Sequence, residues 1–444
     1  MRTLSRSIRA FDVTRWTPLR LLVGATALSA AGTMVSVVAL PLTAILALGA
    51  SPLQVGLLVA AETLPILLLG VPVGAYVDRH RRRRVMVLCD VLRASLVLSV
   101  PVAWWLDLLT IYQLYAVAFL VGSATVLFDV AYQSYVPNIV EADQLPTAYR
   151  ELEAANAMAR LAGPGIGGAL VQALSAPVAL VADAFSYLLS FVFLQARKPA
   201  EEEPSAPDAD SRTAWSVAFA GFPYILRSKV LRSVALFAAV GMFASAMMTA
   251  VEMIFLVRTL RQPPAVAGLF VTAGAAGALL AVAVSGRIRR YIGPDRMLRV
   301  PVMACWPLAF LLPLATPGTA WLYACGSFFV AAGGVLANIE QNTLRPLITP
   351  PDLRGRVNAA MRILMWGAMP LGGVVGGALA EALGVRTCLI IVAVMMQLAV
   401  VPLLTPGMRR PYSLAHPYGP SPGDDSHQPD PATQEAGADL PRSP

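Results

Sequence analysis

Four carboxylates stand alone inside long apolar stretches of this chain: Glu62, Asp129, Glu252 and Glu340. Arg160 is the matching basic residue, with Arg362 and Asp183 in similar surroundings. A charge held in an apolar medium costs a few kcal/mol, so each needs either a partner or a task. Glu62, Glu252 and Glu340 have no basic residue at i±3 or i±4, the helical spacing that would pair them locally. A desolvated carboxylate can take up and release a proton in the physiological range, which is the chemistry these residues offer. Other chemistries lack their residues. The three histidines (His80, His416, His427) all lie outside the apolar stretches, and the four cysteines (Cys89, Cys305, Cys325, Cys388) have no paired spacing. No GxxxxGK[ST] phosphate loop occurs. The expectation is a protein that moves protons or charge rather than an enzyme, with no cofactor and no metal.

The elements that position these residues follow from composition. The 444 residues are 57% hydrophobic and only 14% charged, with a mean hydropathy of +0.65, where a soluble chain carries about a quarter charged residues. Twelve apolar runs are long enough to cross a bilayer as helices: 20–45, 53–77, 85–106, 112–136, 147–173, 177–195, 232–257, 263–285, 298–315, 320–344, 357–382 and 386–405. Continuous rather than alternating apolarity selects helices over a barrel. The fold expected is an all-α membrane protein. The segment before the first run is a basic amphipathic lead-in without the short apolar core and small-residue cleavage site of a signal peptide.

Charge orders the runs. With the N-terminus on the cytoplasmic side, 28 of the 34 Lys and Arg fall in cytoplasmic segments and three (Arg258, Arg261, Arg386) in the loops across the membrane. This asymmetry predicts a multi-pass protein of the cell membrane with both termini cytoplasmic. The net charge of +8 is thus a topology signal. Basic residues scattered through separate loops do not make a nucleic-acid surface.

The chain also repeats. "MVSVVALPLTAILALGASPLQVGLLVAAETLPILLLGVPVGAYVDRHRRRRVM" from Met34 and "MTAVEMIFLVRTLRQPPAVAGLFVTAGAAGALLAVAVSGRIRRYIGPDRML" from Met248 share one plan: a span, a short turn, a second span, then glycine and a basic loop. Two parallel six-span halves, 20–195 and 232–405, are expected, related as in transporters that work by alternating access. Residues 1–19 form a cytoplasmic N-terminal segment and 196–231 a polar, Pro-rich cytoplasmic linker ending in a short amphipathic helix. Residues 406–444, rich in Pro and Asp, read as a disordered cytoplasmic tail.

Two motifs carry a family resemblance. The first is Gly74, Asp78, Arg79, Arg82 and Arg83 in "GAYVDRHRRRR", directly after the second span; the second is Gly163, Pro164, Gly167 and Gly168 in "AGPGIGG" of the fifth. Together they resemble the major facilitator superfamily, most closely its 12-span drug:proton antiporter branch that includes macrolide and siderophore exporters. Tyr76 stands where leucine is usual and Arg81 where a second glycine is usual. The resemblance covers about 20–405. It implies that Asp78 faces the N-terminus of span 11 in a gate, that the adjacent arginines pair with Asp90 or Asp129, and that Gly163–Gly168 belong to an antiporter motif. In that motif small residues permit close helix contact and Pro164 kinks the helix. It also implies that spans 1, 4, 7 and 10 line a central cavity, which brings Asp129, Glu252 and Glu340 to it.

On that reading the cavity helices present Met242, Phe243, Met247, Met248, Met253 and Phe255 from span 7, and Phe328, Phe329 and Asn338 from span 10. Methionine and aromatic side chains suit adaptable recognition of amphipathic compounds. Three functions compete: a proton-coupled exporter of small molecules, an importer or facilitator of a nutrient, and a non-transporting membrane sensor. The first accounts for both motifs. Its partners would be a small-molecule substrate, protons and the bilayer, with the chain acting as a monomer.

Overall fold

The computed structural model describes residues 17–70, 72–196, 219–405 and 408. All the regular structure among them is helical. We label the spans α1 (Pro18–Leu42), α2 (Pro52–Leu69), α3 (Arg82–Trp105), α4 (Ile111–Ile139), α5 (Leu145–Leu174), α6 (Ala176–Ala196), α7 (Lys229–Ile254), α8 (Pro264–Ile292), α9 (Pro294–Leu314), α10 (Trp321–Ile348), α11 (Arg354–Leu383) and α12 (Val385–Val400). Eleven are long and apolar enough to cross a membrane; α5 is not among them, carrying Arg150, Glu151, Glu153 and Arg160 and then Pro164 among four glycines. It is nevertheless the twelfth span, packed between α1 and α8.

Local sequence explains the helix starts. Thr17, Ser51 and Ser228 each accept a hydrogen bond from a backbone N–H of the first turn, and Ser51 with Gln54 closes a reciprocal cap. Two expected spans are shorter or more broken than the apolar runs suggested. The run 53–77 divides at Gly70 into α2 and a six-residue helix, Val73–Asp78. α9 is a chain of short helical pieces, because Pro301, Pro307 and Pro313 each remove a backbone donor.

The two halves repeat each other in space. α1 packs on α5 and α6, and α7 packs on α11 and α12; α2 packs on α4, and α8 on α10. Both α1 and α7 end in a wide π-turn, Thr43–Ala47 and Phe255–Thr259. The halves meet along two seams, α5 against α8 and α2 against α11.

Glycine makes both seams close. A Cβ on Gly168 would come within 3.1 Å of the Gly268 Cα. On the other seam, a Cβ on Gly377 would come within 3.0 Å of the Gly56 Cα. The antiporter motif is two-faced: Gly163 and Gly167 lie against Met34 and Val35 of α1, within the half, while Gly168 lies against α8 of the other half. A second run of small residues, in α11, divides the same way, with Gly372 and Gly376 on α7 and Gly373 and Gly377 on α2. Overpacking such a contact costs about 1–3 kcal/mol.

The tight contacts sit toward one end of the bundle. Here Arg258 donates to the Ile45 carbonyl at 3.1 Å, joining the two π-turns. Glu381 accepts from Ser51 Oγ (2.6 Å) and Leu53 N (2.9 Å), and Gln172 accepts from Ala265 N (3.2 Å). The other end, which carries Arg79–Arg84 and Arg287–Arg299 and is called the basic end below, has none of these ties among the described residues. There α2 and α11 part around a cavity of about 210 Å³ lined by Gly70, Arg362 and Trp366. Among the described residues, the polar ties between the halves gather at the end away from the basic loops.

Parts of the linker and nearly all of the tail lie outside the described residues, as does 1–16. Where the linker is described, Phe222–Arg227 is a short helix whose Ile225 is buried, and Gly221 packs on the Arg356 carbonyl at the start of α11.

Candidate functional site: a cavity between the halves

A cavity of about 550 Å³ lies between the two halves. Its first-half wall is Met34, Val37, Arg160 and Pro164 from α1 and α5; α7 to α12 supply the rest. Five methionines line it (Met34, Met242, Met248, Met365, Met396), together with Phe237 and Trp306, which stack with ring centroids 5.2 Å apart. Its polar side chains include Ser245, Ser327, Asn338 and Gln341. Its charges are two: Arg160 and Glu252. Glu252 is half-buried and accepts a hydrogen bond from Tyr323 at 3.1 Å. Arg160 is exposed to the cavity and forms no hydrogen bond or ion pair among the described residues.

The other cavity candidates divide. Met242, Met248 and Asn338 line it as expected, but Met247, Met253 and Phe255 are buried in the core. Phe243 offers its backbone to Gly372, and Phe328 packs against Gly277 with Phe329 beside it. Glu340 is a correction. It points away from the cavity into the second half, fully buried, and accepts from Arg289 Nε of α8 at 3.2 Å. One face of α10 carries Asn338 and Gln341 to the cavity and another carries Glu340 to α8.

Asp129 also lies off the central cavity, beside Glu62. With Asp183 they line an adjoining cavity of about 190 Å³ walled by α1, α2, α3, α4 and α6, which shares Val37 with the larger one. A side niche joins Asp129 to Arg160, Arg93 and Thr26. Asp129 forms no ion pair with the loop arginines or with Arg160 among the described residues.

The expected pairing of Asp90 with the loop is also corrected. Asp90, fully buried, takes Arg93 at 2.5 Å and Ser190 of α6 at 2.6 Å. The Arg93 guanidinium lies between the Phe128 and Tyr187 rings, 4.3 and 4.5 Å from their centroids. Tyr187 shares a hydrogen bond with Thr33 (2.9 Å), and Asp183 accepts from Ser36 and Ser186. This buried network ties α1, α3, α4 and α6 together. From sequence Asp183 is one more charge in an apolar stretch, and Arg93 is not singled out. The signals were present at i, i+3 (Asp90 and Arg93) and in the Asp-x-x-Ser-Tyr run of α6, but their meeting depends on tertiary contacts.

At the basic end, Gly74 lies in the short helix after α2 and has open space around it. Asp78 and Arg79 are exposed, and Asp78 has no hydrogen bond or ion pair among the described residues, so the expected contact with α11 is absent in this arrangement. Arg83 donates to the Leu194 carbonyl (2.7 Å) and Gln195 Oε1 (2.9 Å), anchoring the loop on α6. Arg82 Nε is buried without a hydrogen bond. Tyr76, the departure from the usual leucine, stacks on His80 with centroids 4.3 Å apart. The four cysteines are free, and no cluster of metal-binding side chains forms among the described residues.

A family model described as transmembrane secretion effector matches residues 10–414. The chain belongs to that family of major facilitator transporters. Among named relatives of this family member, the multidrug efflux pump Tap of Mycolicibacterium fortuitum is 28% identical, over 88% of this chain and 96% of its own. The MFS-type transporter YfiS of Bacillus subtilis is 27% identical, over 84% and 89%. Solved folds agree at lower identity. The nucleoside transporter NupG superposes with a TM-score of 0.70 at 13% identity, over 91% of this chain and 100% of its own. A bacterial homologue of the iron transporter ferroportin, in an inward-facing state, also gives 0.70, at 15% identity over 87% and 97%. The chain is therefore a multi-pass transporter and not an enzyme.

The Asp90–Arg93 pair should behave as a buried ion pair. Arg93→Met leaves Asp90 uncompensated and is expected to destabilise the protein by about 3–5 kcal/mol. Adding Asp90→Leu should recover most of that loss. Thermal melting of the purified variants in detergent checks both; a single variant that melts like the unmodified protein would contradict the assignment.

Proposed function

We propose that the chain is a secondary transporter that exports small amphipathic molecules by proton antiport, with the basic end facing the cytoplasm. The observation that carries this reading is the methionine-lined cavity between two halves that are sealed together at one end only. Such a cavity loads from the open side and unloads when the seams exchange roles. The basic asymmetry of the loops supports the orientation, and relatives named multidrug efflux pumps support the direction. An importer would need the same fold working the other way, and it leaves the efflux relatives unexplained.

Coupling falls to Glu252 among the candidate acids, because it alone lines the substrate cavity. A proton on Glu252 and a cationic substrate group compete for one carboxylate, which is sufficient for exchange. Glu340 is committed to Arg289. Glu62 lines the adjoining first-half cavity with Asp129 and Asp183 rather than the central one. Glu252→Gln should abolish uphill efflux driven by a pH gradient while downhill exchange of substrate survives. Uphill efflux retained in the variant, measured in proteoliposomes, would remove Glu252 from coupling.

Asp78 is assigned to the closed gate of the alternative state. Free at the open basic end, it is available to meet the positive N-terminus of α11 when the halves close there. Asp78→Asn should leave substrate affinity unchanged and slow turnover severalfold. Turnover equal to that of the unmodified protein would dismiss the gate role.

A further inference from the structure

A cationic group that competes with the proton at Glu252 leaves the role of the cavity's other charge, Arg160, undefined. The cavity carries one guanidinium and one carboxylate, contributed by different halves. Arg160 projects from α5 of the first half, and Glu252 from α7 of the second. The rest of the lining is largely apolar and includes five methionines, Phe237 and Trp306. Each charge keeps capacity for a ligand: Arg160 forms no hydrogen bond or ion pair among the described residues, and Glu252 has a single neutral donor, Tyr323. Asp129 lines the niche beside Arg160 without forming an ion pair to it, so the donors of the guanidinium are not taken up from behind.

We infer that the cavity selects zwitterionic amphiphiles, molecules with an apolar body carrying one anionic and one cationic group, held by Arg160 and Glu252 respectively. This rests on the exporter reading of the same cavity. A guanidinium binds carboxylate, sulfonate or phosphate through parallel N–H donors, with geometry a point charge lacks. A carboxylate in a low-dielectric wall attracts an ammonium group more strongly than it would in water. A ligand with only the cationic group leaves Arg160 repelling it, and a ligand with only the anionic group leaves Glu252 doing the same. Specificity arises from this repulsion as much as from attraction.

The placement also links recognition to movement. Because the two charges belong to different halves, a ligand that pairs with both spans the gap between them. Such a ligand stabilises whichever arrangement brings α5 and α7 closest, whereas a ligand that touches one half does not. Differential affinity of this kind shifts a two-state equilibrium. Arrival of the ligand's cation at Glu252 displaces the proton held there, in keeping with exchange.

The test uses purified full-length protein and four fluorescent probes that share one aromatic body. Their head groups are a quaternary ammonium, a sulfonate, an ammonium-sulfonate zwitterion and a neutral ether, so no probe changes charge with pH. Binding is read at fixed alkaline pH by fluorescence titration. The zwitterion should bind tightest to the unmodified protein. Arg160→Gln should weaken the zwitterion and sulfonate about tenfold, the effect of 1.4 kcal/mol, without weakening the ammonium probe. Glu252→Gln should weaken the zwitterion and ammonium similarly and spare the sulfonate. Arg160→Lys and Glu252→Asp, which keep the charges, should preserve the order of the probes and show that the variants fold. An affinity order independent of head-group charge, or tightest binding of the ammonium probe by the unmodified protein, overturns the inference. Proteoliposome efflux of the same probes separates the two readings: no pH-driven movement of any probe defeats the exporter reading, while the titrations still decide charge selection.

Discussion

The close approach of glycine backbones across the two seams is the constraint on which the rest of the structure depends. Gly168 against Gly268 and Gly56 against Gly377 let the halves touch where any larger residue would hold them apart. Because those contacts cluster at one end, the halves diverge toward the other and a cavity opens between them. Van der Waals contact between small residues, rather than burial of apolar surface, favours such association in a bilayer. Seams of this kind can separate without exposing a large hydrophobic face to water. The polar ties at the sealed end, Arg258 to Ile45 and Glu381 to Ser51 and Leu53, are few and solvent-accessible enough to exchange for water.

Within each half the packing follows a different rule. The first half is fixed by Asp90, Arg93, Ser190, Asp183, Ser36, Tyr187 and Thr33, a network in which charged and polar groups are matched across α1, α3 and α6. Breaking such a network leaves an uncompensated charge in an apolar medium, so the half moves as a unit. The second half has a smaller counterpart in Glu340–Arg289. Rigid halves and a weak seam are what alternating access requires, and the substrate cavity lies at their boundary.

The sequence displayed the architecture more readily than the site. Length and apolarity gave twelve helices, and Gly163, Gly167 and Gly168 signalled close helix contact without showing which helices they meet. Hydropathy treated α9 as one helix and missed the break at Gly70, since neither proline nor glycine lowers apolarity enough to register. The charged residues were visible as isolated acids and bases, but which face of a helix carries each was not. Glu340 and Asn338 are two residues apart on α10 and face different neighbours. Asp90 seemed a partner for the loop, yet Arg93 one turn on claims it. Asp183 was passed over because its partners, Ser36 and Ser186, are ordinary hydroxyl residues whose significance lies only in their meeting. Arg160 was marked from sequence, and its place in the cavity that Glu252 also lines emerged from the packing of α5 against α8.

The central claim is that two rigid halves exchange which end is sealed. Distances between spin labels report it most directly: one pair placed at the sealed ends of α5 and α8, and another at the basic ends of the same helices, in protein reconstituted in lipid. With the pH and substrate varied, the account predicts opposite changes, the sealed-end pair separating as the basic-end pair approaches, while labels within one half keep their spacing. If both pairs stay fixed, widen together, or move by distortion within a half, alternating access about these seams is contradicted.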